Sequence, residues 1–289
     1  MLATRDASGT MRLRISNDRQ YYVRDGYEQM WDIAEGRFLD ESDGWNRFSI
    51  WGMGIASRDI TGDGRDEVVL TSMGDQLLQI AASDGTYSNA PFSKGTYAHR
   101  PYVGDDGRPS TGWHAQFGDV DNDGRPDLFI SKGNVDQMPS NAIKDPNNLL
   151  MQGPDGTFVE AGLAAGIASM ERGRGAAIAD FDLDGRLDIL VLNRRAPMEI
   201  YRNITQTVGN WLGVKLHQEG GNINAIGARI TVGKDIQQLS IGGGHAGGQS
   251  LPLHFGIGKL TTVDIAVEWP NGLITHHIAD ANQTITLIP

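Results

Sequence analysis

The chain has 289 residues, 36 acidic against 25 basic side chains for a formal net charge of −11, 38 glycines and no cysteine. That length allows a sizeable core and two domains, and the lack of cysteine excludes disulfides, zinc–thiolate centres and thiol nucleophiles. No basic stripe points to nucleic acid, no apolar run reaches the ~18 residues of a membrane span, and the opening Met1-Leu-Ala-Thr-Arg-Asp has no apolar signal core, which leaves a cytoplasmic chain, a mature form or a piece of something longer.

In chain order, a strand-like Gln20–Arg24 is followed by the hairpin signal Asp25-Gly26-Tyr27. Residues 11–48 therefore read as the back half of a repeat unit without an acidic loop. Next come three units, each built around a nine-residue acidic loop. The loops run Asp59 to Glu67, Asp119 to Asp127 and Asp180 to Asp188, and their first residues lie 60 and then 61 positions apart. Trp51–Ser57, Trp113–Gly118 and Gly173–Ala179 precede them as predicted strands. Val68–Ser72, Leu128–Ser131 and Ile189–Asn193 follow them. The later strands are nearly continuous apolar runs, the pattern of strands buried on both faces. A third strand follows in each unit: Gln76–Ala81, Asn148–Gln152 and Met198–Arg202. Asp84-Gly85 and Asp155-Gly156 then announce a fourth. Four strands in about 60 residues, repeated in phase, predict blades of a β-propeller. Two long connections, 95–112 and 132–147, depart from the repeat and are where a ligand site would be built on a rigid scaffold.

Near residue 205 the pattern changes. The last unit has no Asp-Gly hairpin. Residues 211–289 read as seven short strands with a Pro270-Asn271-Gly272 turn between two of them, a small β-sandwich-like domain. The predicted organisation is all-β, with propeller blades over 1–207 and the second domain over 208–289.

The loops carry their own chemistry. In the second, Asp119, Asp121 and Asp123 occupy positions one, three and five, Gly124 at six permits a sharp turn, the Arg125 carbonyl can add an oxygen at seven, and Asp127 closes the shell at nine. The third repeats this with Asp180, Asp182, Asp184, Arg186 and Asp188. The first has Asp59, Thr61, Asp63, Arg65 and Glu67, with Asp66 beside the closing acid to offset the charge lost at Thr61. Only hard oxygen donors are offered, which suits Ca²⁺ rather than zinc or copper. The closing acid at nine and the flanking strands exclude an EF-hand. Acidic Asp-Gly turns occur without metals for backbone reasons alone, but three in phase point to about three calcium sites. Three divalent ions, six positive charges, would bring the net charge from −11 to −5.

The phrases Trp51-Gly-Met-Gly-Ile-Ala-Ser-Arg-Asp59, Phe117-Gly118-Asp119 with its loop, and Arg174-Gly-Ala-Ala-Ile-Ala-Asp180 resemble FG-GAP (VCBS-type) repeats. Asn210-Trp-Leu-Gly-Val-Lys-Leu, Ile226-Gly-Ala-Arg-Ile-Thr-Val, Gly242-Gly-Gly-His245, Leu253-His254-Phe-Gly-Ile-Gly and Val267-Glu-Trp-Pro-Asn-Gly resemble the ASPIC/UnbV domain. The order is that of the cartilage-acidic-protein family. The resemblance implies a calcium-bearing propeller in a secreted, periplasmic or surface protein, with no established catalytic residues. The family's propellers have more blades than the three loop-bearing units and one partial unit counted here. A compact four-bladed ring, an open arc completed by a second copy or partner chain, and a fragment are the three alternatives.

Two functions compete on this reading. One is a non-catalytic, calcium-stabilised module that binds an extracellular protein or carbohydrate. The other is an enzyme acting on an extracellular polysaccharide, with Tyr97, His99, Arg100, Tyr102 and His114 as candidates near the first long connection. Those residues read more readily as solvated loop or blade packing, and convergence of His99 with His114 in a cleft would favour the enzyme. His245 and His254 flank the glycine-rich Gly242–Gly248 loop, which lacks the phosphate-binding fingerprints. His276 and His277, on one predicted strand, should face opposite ways.

Overall fold

A computed structural model of the chain describes residues 1–5, 9–18, 26–97, 110–135, 142–206, 208–245, 248 and 252–289. The expected strand Gln20–Arg24, Asp25 and the candidates His99, Arg100 and Tyr102 lie outside the described residues, as does most of the first long connection. Among the described residues there is no α-helix, only strands and two single-turn 3-10 helices.

Four sheet-like blades follow one another, and the second and third are hydrogen-bonded to each other, at Met73↔Thr111 and Gly74↔Ser110, as one eight-stranded sheet. The first holds β1 (Leu2–Arg5), β2 (Met11–Ile15), β3 (Gln29–Asp32) and β4 (Arg37–Phe38) as an antiparallel meander. The second holds β5 (Gly52–Arg58), β6 (Glu67–Gly74), β7 (Leu77–Ala81) and β8 (Tyr87–Asn89). The third holds β9 (Ser110–Gly118), β10 (Asp127–Lys132), β11 (Asn148–Gln152) and β12 (Phe158–Glu160). The fourth has three strands, β13 (Gly173–Ala179), β14 (Asp188–Asn193) and β15 (Glu199–Tyr201). The first unit is more complete than the sequence reading, which missed β1. A four-residue strand with no acidic loop behind it carries too little pattern to be seen.

The expected double burial holds for two of the three second strands and fails for β14, where Leu192 is exposed. β6 is buried except at its last residue and β10 throughout, because each is covered by a neighbouring sheet on either side. One apolar cluster joins the first and second sheets around Leu2, Ile55 and Leu70. Another joins the second and third around Val69, Leu78, Phe117 and Leu128. A third joins the third and fourth around Phe129, Leu149, Ile178 and Val191. Among the described residues no such cluster joins the fourth sheet to the first, and β1–β4 pair with one another rather than with β15. The arrangement is a curled arc of blades, not a four-bladed ring closed through its N-terminal strands.

The phase of the repeat identifies the bare surface. Val69↔Leu78, Phe129↔Leu149 and Leu190↔Ile200 are the same cross-strand pair in successive blades. In the second and third blades the pair is covered by the next sheet. In the fourth it is not, and Ile200 is 58% exposed.

The remaining strands build a sandwich. β16 (Asn210–Leu216), β19 (Leu253–Gly258) and β22 (Gln283–Leu287) form one sheet, with β16 and β22 parallel. β17 (Arg229–Val232), β18 (Asp235–Gln238), β20 (Thr262–Glu268) and β21 (Ile274–Asp280) form the other. Alternating side chains such as Leu212, Val214, Ile230, Phe255 and Val267 fill the space between them. Gly272, at φ 85°, closes the predicted turn with a 2.9 Å bond to the Trp269 carbonyl.

The sandwich docks across the inner strands of the arc. Arg58 on β5 makes a two-armed ion pair with Asp235, at 2.7 and 3.2 Å. Gly244 pairs with Ile55 as an isolated bridge. A Cβ added at Gly244 would lie 2.2 Å from the His114 ring, so the glycine-rich stretch reaches the inner strands only because it lacks side chains. Gln238 and Glu268 hold Ala3 and Arg5 of the first blade.

Candidate metal centres

The three acidic loops share one hydrogen-bonded frame. The carboxylate at position one accepts N–H groups from positions five and six: Asp119 from Asp123 and Gly124 at 3.0 and 2.7 Å, Asp180 from Asp184 and Gly185 at 3.0 and 2.8 Å. Asp59 does the same with Asp63 and Gly64. The acid at position nine accepts from position two, with Glu67 bonding Ile60, Asp127 bonding Val120 and Asp188 bonding Phe181. Its other oxygen ties the loop to the end of the third strand, through Gln152 for Asp127 and, two residues past the strand, Asn203 for Asp188. In the third and fourth blades the second strand thus begins under a carboxylate that is already anchored on two sides.

Within this frame, oxygens of Asp119, Asp121 and Asp127 lie within 4.8 Å of one another, as do those of Asp180, Asp182 and Asp188. In the first loop Thr61 stands at the corresponding position. The acids at position five do something else. Asp63, Asp123 and Asp184 each accept the backbone N–H of the arginine at position seven and pair with its guanidinium. The Arg125 and Arg186 side chains also reach the Gln152 and Asn203 carbonyls, at 2.9 and 2.8 Å. Positions one, three and nine converge, while five and seven brace the turn.

These residues fit a hard divalent cation. Oxygens are the only donors offered, and among the described residues Asp121 Oδ1 and Glu67 Oε1 are buried with no hydrogen-bond partner, a costly state that a bound cation relieves. Electrostatics agree. Burial, then the neighbouring Asp127, pushes the Asp119 carboxyl well above its ordinary range, and burial pushes Glu67 up to about 7. Asp127 and Asp180 are raised by burial as well. Like charges crowded in a dry loop favour protonation unless a cation replaces the proton.

The second loop is also the seat of the sandwich. Asn122, fully buried at φ 58°, gives its amide N–H to the Gly185 carbonyl at 2.9 Å and faces His254 Nε2 at 2.7 Å. Its own carbonyl accepts the Gly258 N–H, and the Asp121 carbonyl accepts that of Gly209, both at 2.9 Å. Gly256 passes so close that a Cβ there would lie 1.9 Å from Asp119 Oδ2. Arg229 reaches the Gly64 carbonyl of the first loop at 2.5 Å. Asn122 escaped the sequence reading because its role rests on partners more than 60 residues away.

The other candidates are occupied structurally. The Tyr97 hydroxyl donates to the Ala90 carbonyl at 3.2 Å. His114 is buried, accepts the His245 N–H at 3.2 Å and contacts Gln116 at 3.3 Å, with burial holding its ring below the usual histidine range. The His245 ring lies 4.9 Å from Trp113, and the His254 ring stacks on Trp211 at 5.7 Å. The two histidines therefore serve different contacts of the docked sandwich. His276 and His277 are adjacent on β21, and only His277 contacts Thr275.

Residues 59–130 match the family model described as FG-GAP-like repeat, and residues 218–289 match that described as ASPIC and UnbV. The chain is similar to cartilage acidic protein 1 of Homo sapiens, 25% identical over 178 residues that cover 58% of this chain and 26% of the relative. It is 30% identical over 118 residues to the Xenopus tropicalis protein of that name, covering 38% and 18%, and 24% identical over 178 residues to that of Mus musculus, covering 58% and 27%. The chain spans roughly a quarter of the length of these curated relatives. It carries FG-GAP-like repeats followed by an ASPIC/UnbV segment.

Proposed function

We propose that the chain is a calcium-braced, non-catalytic binding or scaffold module of the extracellular space or cell surface, divided into blades over 1–207 and a docked sandwich over 208–289. The carrying observation is the convergence of the carboxylates at positions one, three and nine in the second and third loops, which with the first also seat the sandwich. The proposed calcium ligands are Asp119, Asp121 and Asp127 in the second loop, Asp180, Asp182 and Asp188 in the third, and Asp59, Thr61 and Glu67 in the first. The acids at position five and the arginines at position seven hold each loop in shape. The similarity to cartilage acidic proteins supports an extracellular setting, and the partner class is an extracellular protein or carbohydrate. The bare face of the fourth blade suits a further sheet from a second copy or a partner chain.

Calcium bound only to the folded state adds about 2.7 kcal/mol per site at 100 times its Kd. Thermal melting in calcium and in chelator is the test. A melting temperature several degrees lower in EDTA is expected, with the loss reproduced by Asp121→Asn plus Asp182→Asn in calcium. Identical melting in both buffers would sink the calcium reading.

A further inference from the structure

A cavity of about 330 Å³ lies between the inner strands of the arc and the exposed face of the β19-β16-β22 sheet, a size and a domain-boundary position typical of small-molecule sites. Its wall is not self-sufficient. The charged groups Arg58, Asp66 and Asp180 are engaged by Asp235, by Thr4 with Arg229, and by loop N–H groups respectively. Lys215, Ser57, Ser240 and Thr284 also line the cavity, and among the described residues none of the four side chains has a hydrogen bond or ion pair. Lys215 alternates along β16 with Leu212, Val214 and Leu216, which fill the sandwich core, so its charge is presented on the cavity side.

The mouth carries an independent sign. Position four of every acidic loop is left-handed: Gly62 at φ 76°, Asn122 at 58° and Leu183 at 61°. Glycine and asparagine tolerate that region, whereas leucine does so at a cost. Leu183 is nonetheless 83% exposed, beside a half-exposed Phe181, and both line this cavity. The matching residues at position two of the other loops, Ile60 and Val120, are buried. Strain and exposed apolar surface at one spot point to function rather than to stability. Water alone could satisfy the hydroxyls, but it would leave the Phe181–Leu183 lip unserved.

We propose that this cavity binds a carboxylated sugar of the uronic-acid type. The ligand's hydroxyls would meet Ser57, Ser240 and Thr284, its carboxylate Lys215, and its C–H face the apolar lip. This proposal deepens the binding-module reading by naming a ligand class.

The test titrates the calcium-loaded full chain with sodium D-glucuronate and with D-glucose, followed by calorimetry and by NMR line broadening. Saturable glucuronate binding is expected, at least about tenfold tighter than glucose, the size of one charge-assisted hydrogen bond. Lys215→Met should remove that preference and leave the melting temperature unchanged. Leu183→Gly should weaken both sugars several-fold while leaving calcium titration intact. Comparison with a disaccharide ending in a glucuronate distinguishes a glycan terminus from the free sugar as the source. Absence of saturable binding, equal affinity for glucose, or indifference to Lys215→Met would overturn the proposal. A parallel calcium titration keeps the two readings apart: calcium binding without glucuronate binding rejects only the sugar site, and absent calcium binding rejects the metal reading itself.

Discussion

His254 shows how one buried side chain can govern the acid behaviour of a domain contact. Burial depresses its ring from the ordinary 6.5 to about 4, so it is neutral in the fold, bonded to Asn122 and stacked on Trp211. The unfolded chain binds the proton first. The stabilisation is therefore present above about pH 6.5 and is lost as pH falls through the folded value near 4. The difference amounts to roughly 3 kcal/mol across that window. Urea titrations at pH 7 and pH 4.5 should show a loss of stability that is clearly smaller in His254→Gln, and equal losses in the two proteins would refute the assignment. None of this was legible in the sequence, where His254 was one of two histidines beside a glycine-rich stretch. Its partner lies 132 positions away. The frame of the acidic loops was legible because its residues lie within nine positions. Even there, spacing alone gave no sign that the acids at position five turn to the arginines.

At the scale of the strand, the repeat's phase converts into a contrast between equivalent positions. Leu149 and Ile200 are the same residue of successive blades, one covered by the next sheet and the other open. Glutamate at 149 would bury an unpaired charge and should cost about 3 kcal/mol or more. Glutamate at 200 should stay within about 0.5 kcal/mol of the parent. Chemical denaturation of the two variants reads this directly, and a large loss for Ile200→Glu would mean that the face is covered in solution. Strand positions were the most legible part of the fold, since continuous apolar runs such as Leu128–Ile130 need burial on both faces. The bare end was not legible, because Leu190 and Ile200 have the same apolar character as their covered counterparts.

For the whole molecule, the acidic loops and the second domain form one mechanical unit. Loops one and two give carbonyls to Arg229, Gly209 and Gly258 of the sandwich segment, and loop three packs against Trp211. Emptying the loops would restore repulsion among their carboxylates, raise their affinity for protons and loosen that seat. Small-angle scattering below the melting temperature should show a larger radius of gyration in chelator than in calcium, and an unchanged radius would separate docking from the ion. The break in the repeat near residue 205 was visible in the sequence. The docking was not, because it depends on places where glycines allow backbone to meet backbone.

The bridge between Ile55 and Gly244 bears on how such a chain is made. The inner strand of the second blade emerges early in synthesis, and the glycines that pair with its edge emerge nearly 190 residues later. Until then the edge is an open template for pairing with other chains. The blades fold through local hairpins, but the final docking is a contact of very long sequence separation and belongs to the slow class of folding events. A nascent chain halted before the sandwich is complete would expose the inner edge of its arc, so the last third of the polypeptide acts as a built-in guard against premature association.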